Sequence, residues 1–445
     1  ELGGTIIAWC CDADTGETIW KQRIVGDYPL RLSGCFSDSS APPPVTDGQR
    51  VCFFNASGRI ACFDMDGKRL WQNSMMPVGR TQPFLVGDNV VFIKQSYMPD
   101  QGLFTHDHKD APVEKWTQLQ ALNLATGKRA WNTTCGVNMG CVPLPMTLPD
   151  GREVIVVGRG GGHSPPENPD GVSMVNAADG ETVWSRPLPK FMSTMTFNVY
   201  GDHVLVFDGP DHLWLNATTG DIDRRVSIVD KATAVLRDQP SDAWTTETVS
   251  IDPGKKNRMI IQQSNVLAGR YHYFRSYTQP WLGRVNVVNG NVEYLQLPVQ
   301  LKRTPSDPKD QLLWDQSDMD PKMVLQIKKA QRKKPATLPI QLWTFQPNTM
   351  ENSSGFVVMG DARSQGNGWG HHASQLPTIV GDYLYVPTMA GTVYVIRHND
   401  ENLSDESIVS INDLGQVGDA FNRASLSYSL GRLYAHTIKD VICIQ

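Results

Sequence analysis

Residues 121–131, which read ALNLATGKRAW, carry the pattern that decides the fold. An apolar strand ends at Asn123, whose side chain can bond the backbone of the following turn. Gly127 then supplies the positive φ that reverses the chain. A second short strand ends at Trp131, a large side chain able to pack against a neighbouring unit.

The pattern recurs along the chain. Other copies read CCDADTGETIW at 10–20, CFDMDGKRLW at 62–71 and MVNAADGETVW at 174–184. The copy at 214–220, WLNATTG, lacks the closing Trp, and a weaker copy runs from 285 to 294. The structural repeat residues are therefore Asp12, Gly16, Trp20, Asp64, Gly67, Trp71, Asn123, Gly127, Trp131, Asn176, Gly180 and Trp184.

A second hairpin precedes most copies, for example PFLVGDNVVF at 83–92 and PTIVGDYLYV at 377–386. It reads as strand, Gly-Asp turn, strand. Together the two hairpins make four antiparallel strands. Four strands recurring about every 40 to 60 residues are typical of propeller blades, so the sequence predicts an all-β propeller of four-stranded antiparallel blades.

Eight such units can be placed, and an eight-bladed propeller is the favoured prediction. The first unit contains only its third and fourth strands, and the last stops after its third. We expect an upstream segment to complete the first blade. If strands of the first and last units share one blade, the count is seven. The prediction is a single propeller over 1–445, with an insertion over 296–370 that is partly helical near 296–345, where Asp320-Pro321 resembles a helix start.

Composition narrows the function classes. A chain of 445 residues with net charge −5 lacks a generally basic surface, so nucleic acid is not an expected partner. The sequence contains no run of roughly 18 apolar residues, so no membrane-spanning helix is predicted. Eight cysteines fit either disulfides outside the cytoplasm or buried free thiols. Cys135 and Cys141 flank a loop that a disulfide could close, and Cys52 faces Cys62 across a predicted hairpin.

The repeat resembles the quinoprotein-type, or PQQ-like, β-propeller family, whose blade motif is Ala-x-Asp-x-x-Thr-Gly-x-x-x-Trp. Residues 115–131 and 171–184 match it well. Residues 41–71 look like secreted proteins of the outer-membrane assembly lipoprotein type. The resemblance implies an extracytoplasmic location: periplasmic, cell-surface or secreted. The family includes dehydrogenases and assembly scaffolds, so the resemblance predicts the fold more specifically than the function.

The long connections, at 97–114, 158–171, 264–283 and 298–370, all fall on one predicted face, which we call the loop-rich face. Segments leading into the inner strands should rim a central funnel on that face. A polar funnel can bind a carboxylate or another polar ligand, although it can equally be polar because it holds water. The candidate ligand-binding residues are Arg80, Gln82, Asn138, Trp244, Trp369, His371, His372 and Arg423.

Metal and cofactor signals are weak. His106, His108 and Asp110 have a spacing that allows one face of a strand to bind a metal, but a solvated charged loop explains them equally. The vicinal Cys10-Cys11 pair invites comparison with PQQ dehydrogenases, yet it lies inside a blade strand. We identified neither a calcium-binding pair nor a catalytic Asp by motif, so the sequence favours no cofactor.

Three functions follow. The favoured one is a non-catalytic extracytoplasmic module that binds or scaffolds a partner protein or glycan through the loop-rich face. The second is an alcohol or sugar dehydrogenase that depends on PQQ and calcium. The third is a polysaccharide lyase in which His371 or His372 acts as the base beside a Tyr or Arg. The oligomeric state is left open.

Overall fold

A computed structural model describes the chain in segments. They are residues 4–27, 40, 42–78, 81–94, 113, 116–160, 167–191, 196–238, 241, 243–252, 261–276, 279–298, 301–303, 346–352, 357–360, 375–388, 391–415, 420, 422, 424–437 and 440–445. The described residues fall into two compact units. The first lies within Glu1–Thr194 and Ala217–Asp221; the second lies within Met195–Asn216, Ile222–Lys328 and Leu342–Gln445.

The first unit consists of antiparallel sheets. Its strands are β1 (Thr5–Cys11), β2 (Thr18–Val25), β3 (Val45–Thr46), β4 (Arg50–Asn55), β5 (Arg59–Asp64), β6 (Arg69–Ser74), β7 (Phe84–Val86), β8 (Asn89–Lys94), β9 (Gln118–Asn123), β10 (Arg129–Asn132), β11 (Leu144–Thr147), β12 (Glu153–Arg159), β13 (Gly171–Asn176) and β14 (Thr182–Pro187). The strands β1 and β2 form a two-stranded sheet, and β3–β6, β7–β10 and β11–β14 each form a four-stranded sheet in chain order.

The second unit continues the pattern. Its strands are β15 (Asn198–Tyr200), β16 (His203–Asp208), β17 (Asp211–Asn216), β18 (Ile222–Ser227), β19 (Ala232–Arg237), β20 (Trp244–Val249), β21 (Ile261–Ala268), β22 (Tyr271–Ser276), β23 (Trp281–Asn286), β24 (Val292–Gln296), β25 (Leu301–Arg303), β26 (Gln346–Asn352), β27 (Val357–Gly360), β28 (Thr378–Val380), β29 (Tyr383–Pro387), β30 (Thr392–Arg397), β31 (Ile408–Asp413), β32 (Ser427–Ser429), β33 (Arg432–His436) and β34 (Val441–Ile444).

The sheets of this unit differ in size. The sets β15–β18 and β28–β31 are four-stranded, whereas β25–β27 and β32–β34 are three-stranded. One sheet has six strands in the order β20-β19-β24-β23-β22-β21, and β19 runs parallel to β24. A 3-10 turn spans Asp405–Ser407, and no helix within the described residues is long and apolar enough to cross a membrane.

The prediction of eight blades is wrong, and the seven-blade alternative is confirmed. Six sheets of the described chain contain a complete set of four consecutive antiparallel strands, and β32–β34 supplies three strands of a seventh. The sheet of β1 and β2 has only two strands and does not make an eighth blade. The helix predicted near 320 lies outside the described residues.

The middle strands of the four-stranded sheets explain why the chain forms stacked sheets. Residues 154–157 of β12 are a continuous apolar run, and all four are buried. A strand with both faces buried needs cover on each side, which neighbouring sheets provide. Cys52, Phe54 and Ile60 accordingly pack with Val90 and Phe92 of the next sheet.

Each predicted tryptophan of the first unit, with one exception described below, meets the turn of the following repeat. The indole donates to the carbonyl just after that repeat's Asp or Asn, and the side chain two residues beyond the Trp donates to its Gly carbonyl. We call this pair of hydrogen bonds the indole latch. The bonds are Trp20 to Met65 (2.9 Å) with Gln22 to Gly67 (2.9 Å), Trp71 to Leu124 (2.8 Å) with Asn73 to Gly127 (2.6 Å), and Trp184 to Ala217 (2.9 Å) with Arg186 to Gly220 (2.6 Å).

The turn glycine of the latch is required for two reasons. Gly127 has φ +70°, a conformation that side chains disfavour. A Cβ at this position would also lie 2.6 Å from the Trp71 ring. The backbone therefore approaches the indole more closely than any other residue would allow.

Two repeats depart from the latch. Trp131 is buried, but its indole nitrogen has no hydrogen-bond partner. In the repeat without a closing Trp, Arg224 occupies the equivalent position and donates to the Val288 carbonyl at 2.9 Å. Its guanidinium lies 4.7 Å from the ring centroid of Trp214. A planar cation therefore replaces the indole at this joint.

The joint between the β21–β24 strands and β28–β31 is held by charge. Arg284 is fully buried and pairs with Glu293 at 2.6 Å. It also donates to the carbonyls of Asp400 (2.7 Å) and Glu401 (3.0 Å), while Glu293 accepts from the Leu403 N–H at 3.0 Å. We call this set the arginine latch. Burial acts to lower the pKa of Arg284, but Tyr273 and Glu293 outweigh it and raise that pKa.

Candidate functional site

Few of the predicted site residues lie in the described part of the chain. Gln82 is exposed just before β7, Asn138 is buried before β11, and Trp244 begins β20. The residues outside the described segments are Arg80, Trp369, His371, His372, Arg423 and the weak metal candidates His106, His108 and Asp110.

Asn138 forms hydrogen bonds within the fold. It is 4% exposed. Its amide nitrogen donates to the Gly160 carbonyl at 2.7 Å, and its amide oxygen accepts from the Gly140 N–H at 2.8 Å. Both ends of the amide are therefore used to fix the segment before β11 against the end of β12.

An ion pair lies in the same corner. Arg159, the last residue of β12, contacts Glu167 at 3.0 Å, and their side chains are 7% and 18% exposed. The other carboxylate oxygen of Glu167 accepts from the Gly136 N–H at 2.7 Å. The pair was not among the predicted site residues, although a charged residue ending an otherwise apolar strand was an available signal.

The disulfide predicted between Cys135 and Cys141 is not formed, because both are free thiols. The Cys141 sulfur accepts a hydrogen bond from the Gly158 N–H at 3.0 Å. Burial raises the pKa of each thiol to about 12, which keeps both protonated. Cys52 and Cys62 do pair across β4 and β5, also as free thiols.

In the second unit, Arg275 links segments that are distant in sequence. Its guanidinium is fully buried and donates to the carbonyls of Pro387 (2.9 Å) and Gln375 (2.6 Å). The Gln375 amide donates in turn to the Asn422 carbonyl at 2.6 Å. Burial lowers the pKa of Arg275 to about 9. This chain ties the end of β22 to the segments that precede β28 and β32.

A histidine pair joins β15–β18 to the β21–β24 strands. His212 Nε2 lies 2.8 Å from His272 Nδ1, and His272 Nε2 lies 2.7 Å from Asn265 Oδ1. The Asn198 amide nitrogen also lies 3.0 Å from His272 Nε2, so both rings belong to one buried polar network. His212 Nδ1 is buried and has no hydrogen-bond partner.

Both histidines are neutral. Burial lowers the pKa of His272 to about 3. Burial, followed by the charges of His272 and Arg224, lowers the pKa of His212 well below its ordinary value.

Trp244 does not lead into an inner strand as predicted. It lies in β20, at the opposite edge of the six-stranded sheet from β21. Its ring packs against a cluster of Val235, Leu295 and Leu403. The hairpin of β19 and β20 therefore extends the sheet outwards, which no feature of the repeat indicated.

Within the described residues, no group of three or more His, Cys, Asp or Glu residues is placed to share a metal ion. Cys10 and Cys11 are free thiols at the end of β1, where the pairing with β2 is irregular. The vicinal disulfide of PQQ dehydrogenases is thus not formed by this pair.

The comparisons with known proteins agree with the repeat. The family model for the outer membrane protein assembly factor BamB matches residues 4–163 and 115–270, which is more than half of the 445-residue chain. The chain therefore belongs to this family of PQQ-like repeat propellers. No curated protein matches the chain.

Solved structures are similar in fold only. A europium-containing methanol dehydrogenase shares 11% identity over 96% of this chain and 78% of its own, with a TM-score of 0.51. BamB from Moraxella catarrhalis shares 13% over 93% of this chain and 98% of its own, with a TM-score of 0.42. The quinohemoprotein alcohol dehydrogenase from Comamonas testosteroni shares 13%, over 96% and 67%, with a TM-score of 0.46.

Proposed function

We propose that this chain is a non-catalytic, extracytoplasmic propeller that acts as a scaffold for a protein partner. Membership of a family named for an assembly factor supports this reading. The observation that carries it is the internal use of polar side chains where the loops leave the sheets. Asn138, Arg159 and Arg275 all bond within the protein there.

Such bonding builds a rigid frame from which loops are presented. Binding residues are commonly held on loops that a rigid scaffold positions. We therefore place the partner on the loop-rich face. Of its predicted long connections, 264–283 is instead occupied by β21, β22 and the start of β23, whereas most of 97–114 and 298–370 lies outside the described residues. A protein is preferred to a glycan as the partner because the family's name refers to protein assembly.

The first experiment is cross-linking of the purified chain in an envelope extract of its own bacterium, followed by mass spectrometry. We expect one protein partner, cross-linked to residues of the loop-rich face. Replacing residues 99–112 by a short Gly-Ser linker should lower its recovery at least tenfold. The control is Gln49→Ala, in the short turn between β3 and β4, which should leave recovery unchanged.

The second experiment tests the dehydrogenase alternative directly. The chain is incubated with PQQ and calcium, and oxidation of alcohols and sugars is followed with a dye as electron acceptor. The scaffold function predicts no turnover. Cofactor-dependent turnover without a retained protein partner would overturn it.

A further inference from the structure

We propose that β20 is a docking edge for one extended strand of a protein partner, which would add to the six-stranded sheet. This inference deepens the proposed scaffold function and rests on it. The edge arises because β19 pairs in parallel with the outer strand β24, and β20 then pairs with β19. Within the described residues, β20 pairs with nothing else.

The hydrogen-bond pattern identifies which backbone groups face outwards. Asp238 donates to the Ala243 carbonyl at 2.9 Å, so this pair is hydrogen-bonded. Hydrogen-bonded and non-bonded pairs alternate along an antiparallel ladder. Thr245, Glu247 and Val249 therefore direct their backbone groups towards β19, whereas Trp244, Thr246 and Thr248 direct theirs away from it.

The edge lacks most of the usual protection against strand addition. Proteins commonly shield edges with charged side chains (lysine above all), proline, a bulge or a very short strand. The strand β20 has six residues, WTTETV, with no lysine or proline and a single charge, that of Glu247. Its register with β19 is unbroken from Trp244 to Val249. Its four central residues are exposed, so packing on neither face of β20 blocks the addition of a further strand there.

The chemistry of the edge specifies the partner. Outward N–H and C=O groups in a row are satisfied by an extended backbone, as in strand addition. Tryptophan, threonine and valine favour strand geometry. The exposed Glu247 carboxylate favours a lysine or arginine directly across from it. The occupant is thus an extended segment of a partner protein that carries β-branched residues and a basic side chain.

The test uses a labelled octapeptide that alternates valine with lysine, and measures its binding by fluorescence anisotropy. We expect saturable binding to the wild-type chain, and a loss of at least tenfold in Thr246→Pro. Proline at this position removes one outward N–H but no bond to β19. The matched control is Thr246→Ala, which keeps the outward N–H at the same position and should bind like the wild type. A peptide methylated on alternate backbone nitrogens should not bind.

Equal binding by Thr246→Pro, or by the methylated peptide, would overturn the docking edge. So would self-association of the wild-type chain that Thr246→Pro abolishes, because the occupant would then be a second copy. Thr246→Pro should keep the wild-type thermal midpoint. If neither the wild type nor Thr246→Pro binds the peptide but both capture the envelope partner, β20 is not a docking edge and the scaffold function stands. If the wild type captures no partner, the scaffold function itself fails.

Discussion

The indole latches of the first unit and the arginine latch of the second unit join adjacent sheets by different chemistry. Trp71 makes a neutral hydrogen bond and packs flat against a turn glycine. Arg284 places a full charge among buried aromatic rings and depends on Glu293 to compensate it. A neutral joint loses little when one bond is removed, whereas a buried charge left alone costs several kcal/mol.

The largest effect should follow from breaking the arginine latch. Arg284→Met leaves the Glu293 carboxylate without its cation, and we expect a loss of about 4 kcal/mol in the free energy of unfolding. Urea denaturation measures it. The double variant with Glu293→Leu should recover most of that loss. A single variant as stable as the wild type would remove the contrast between the two kinds of latch.

The histidine joint should make the second unit sensitive to acid. The folded-state pKa of His272 lies near 3, below the unfolded value of about 6.5, so the unfolded chain binds this proton first. Stability is therefore fully present above about pH 6.5 and falls as the pH drops towards 3. At pH 4 we expect a loss of roughly 3 kcal/mol from His272.

Urea midpoints at pH 7 and pH 4 check this. The double variant His212→Leu with His272→Leu should show a smaller difference between the two pH values than the wild type. Gln49→Ala, which removes no titratable group from an exposed turn, is the control and should keep the wild-type difference. Identical pH dependence in all three proteins would contradict the assignment.

A smaller effect on stability distinguishes two constraints on a turn glycine, its positive φ and the closeness of the neighbouring indole. Gly48 has φ +85°, and nothing lies within 4 Å of the place that a Cβ would occupy there, whereas a Cβ at Gly127 would meet Trp71. Gly48→Ala should cost about 1 kcal/mol from backbone strain alone. Gly127→Ala should cost about 2 kcal/mol more, because the indole must move. Equal thermal shifts would show that the indole does not confine this turn.

The smallest effect isolates one hydrogen bond. Trp71→Phe removes the bond to the Leu124 carbonyl but keeps an aromatic ring, and should cost about 1 kcal/mol more than Trp131→Phe. Trp131 is the matched control because its indole nitrogen has no partner to lose. Guanidinium denaturation of both variants gives the difference.

The sequence predicted the features that depend on a few consecutive residues, such as turns and strands. The turn of the first repeat forms as expected, with the Asp12 carboxylate accepting from the Thr15 N–H at 2.8 Å. The four-stranded antiparallel blades are confirmed, and Trp20, Trp71 and Trp184 each contact the turn of the following repeat. Each depends on a few consecutive residues whose side chains fix the backbone, so the pattern alone is sufficient.

What the sequence did not predict depends on distant partners. Asn138 has the right chemistry for ligand binding, but the carbonyl that occupies it comes from Gly160. The addition of β19 to β24 requires a parallel pairing across about 60 residues, for which no turn signal exists. The blade count failed similarly, since two-stranded β1 and β2 carry a complete repeat motif without forming a complete blade.

Arg224 shows that one architectural role tolerates two side-chain chemistries. A flat guanidinium covers the neighbouring turn and bonds its carbonyl much as an indole does. The number of tryptophans at the latch position is consequently a lower bound on the number of repeats. A substitution can remove the aromatic residue of a blade while the contact with the next blade is kept.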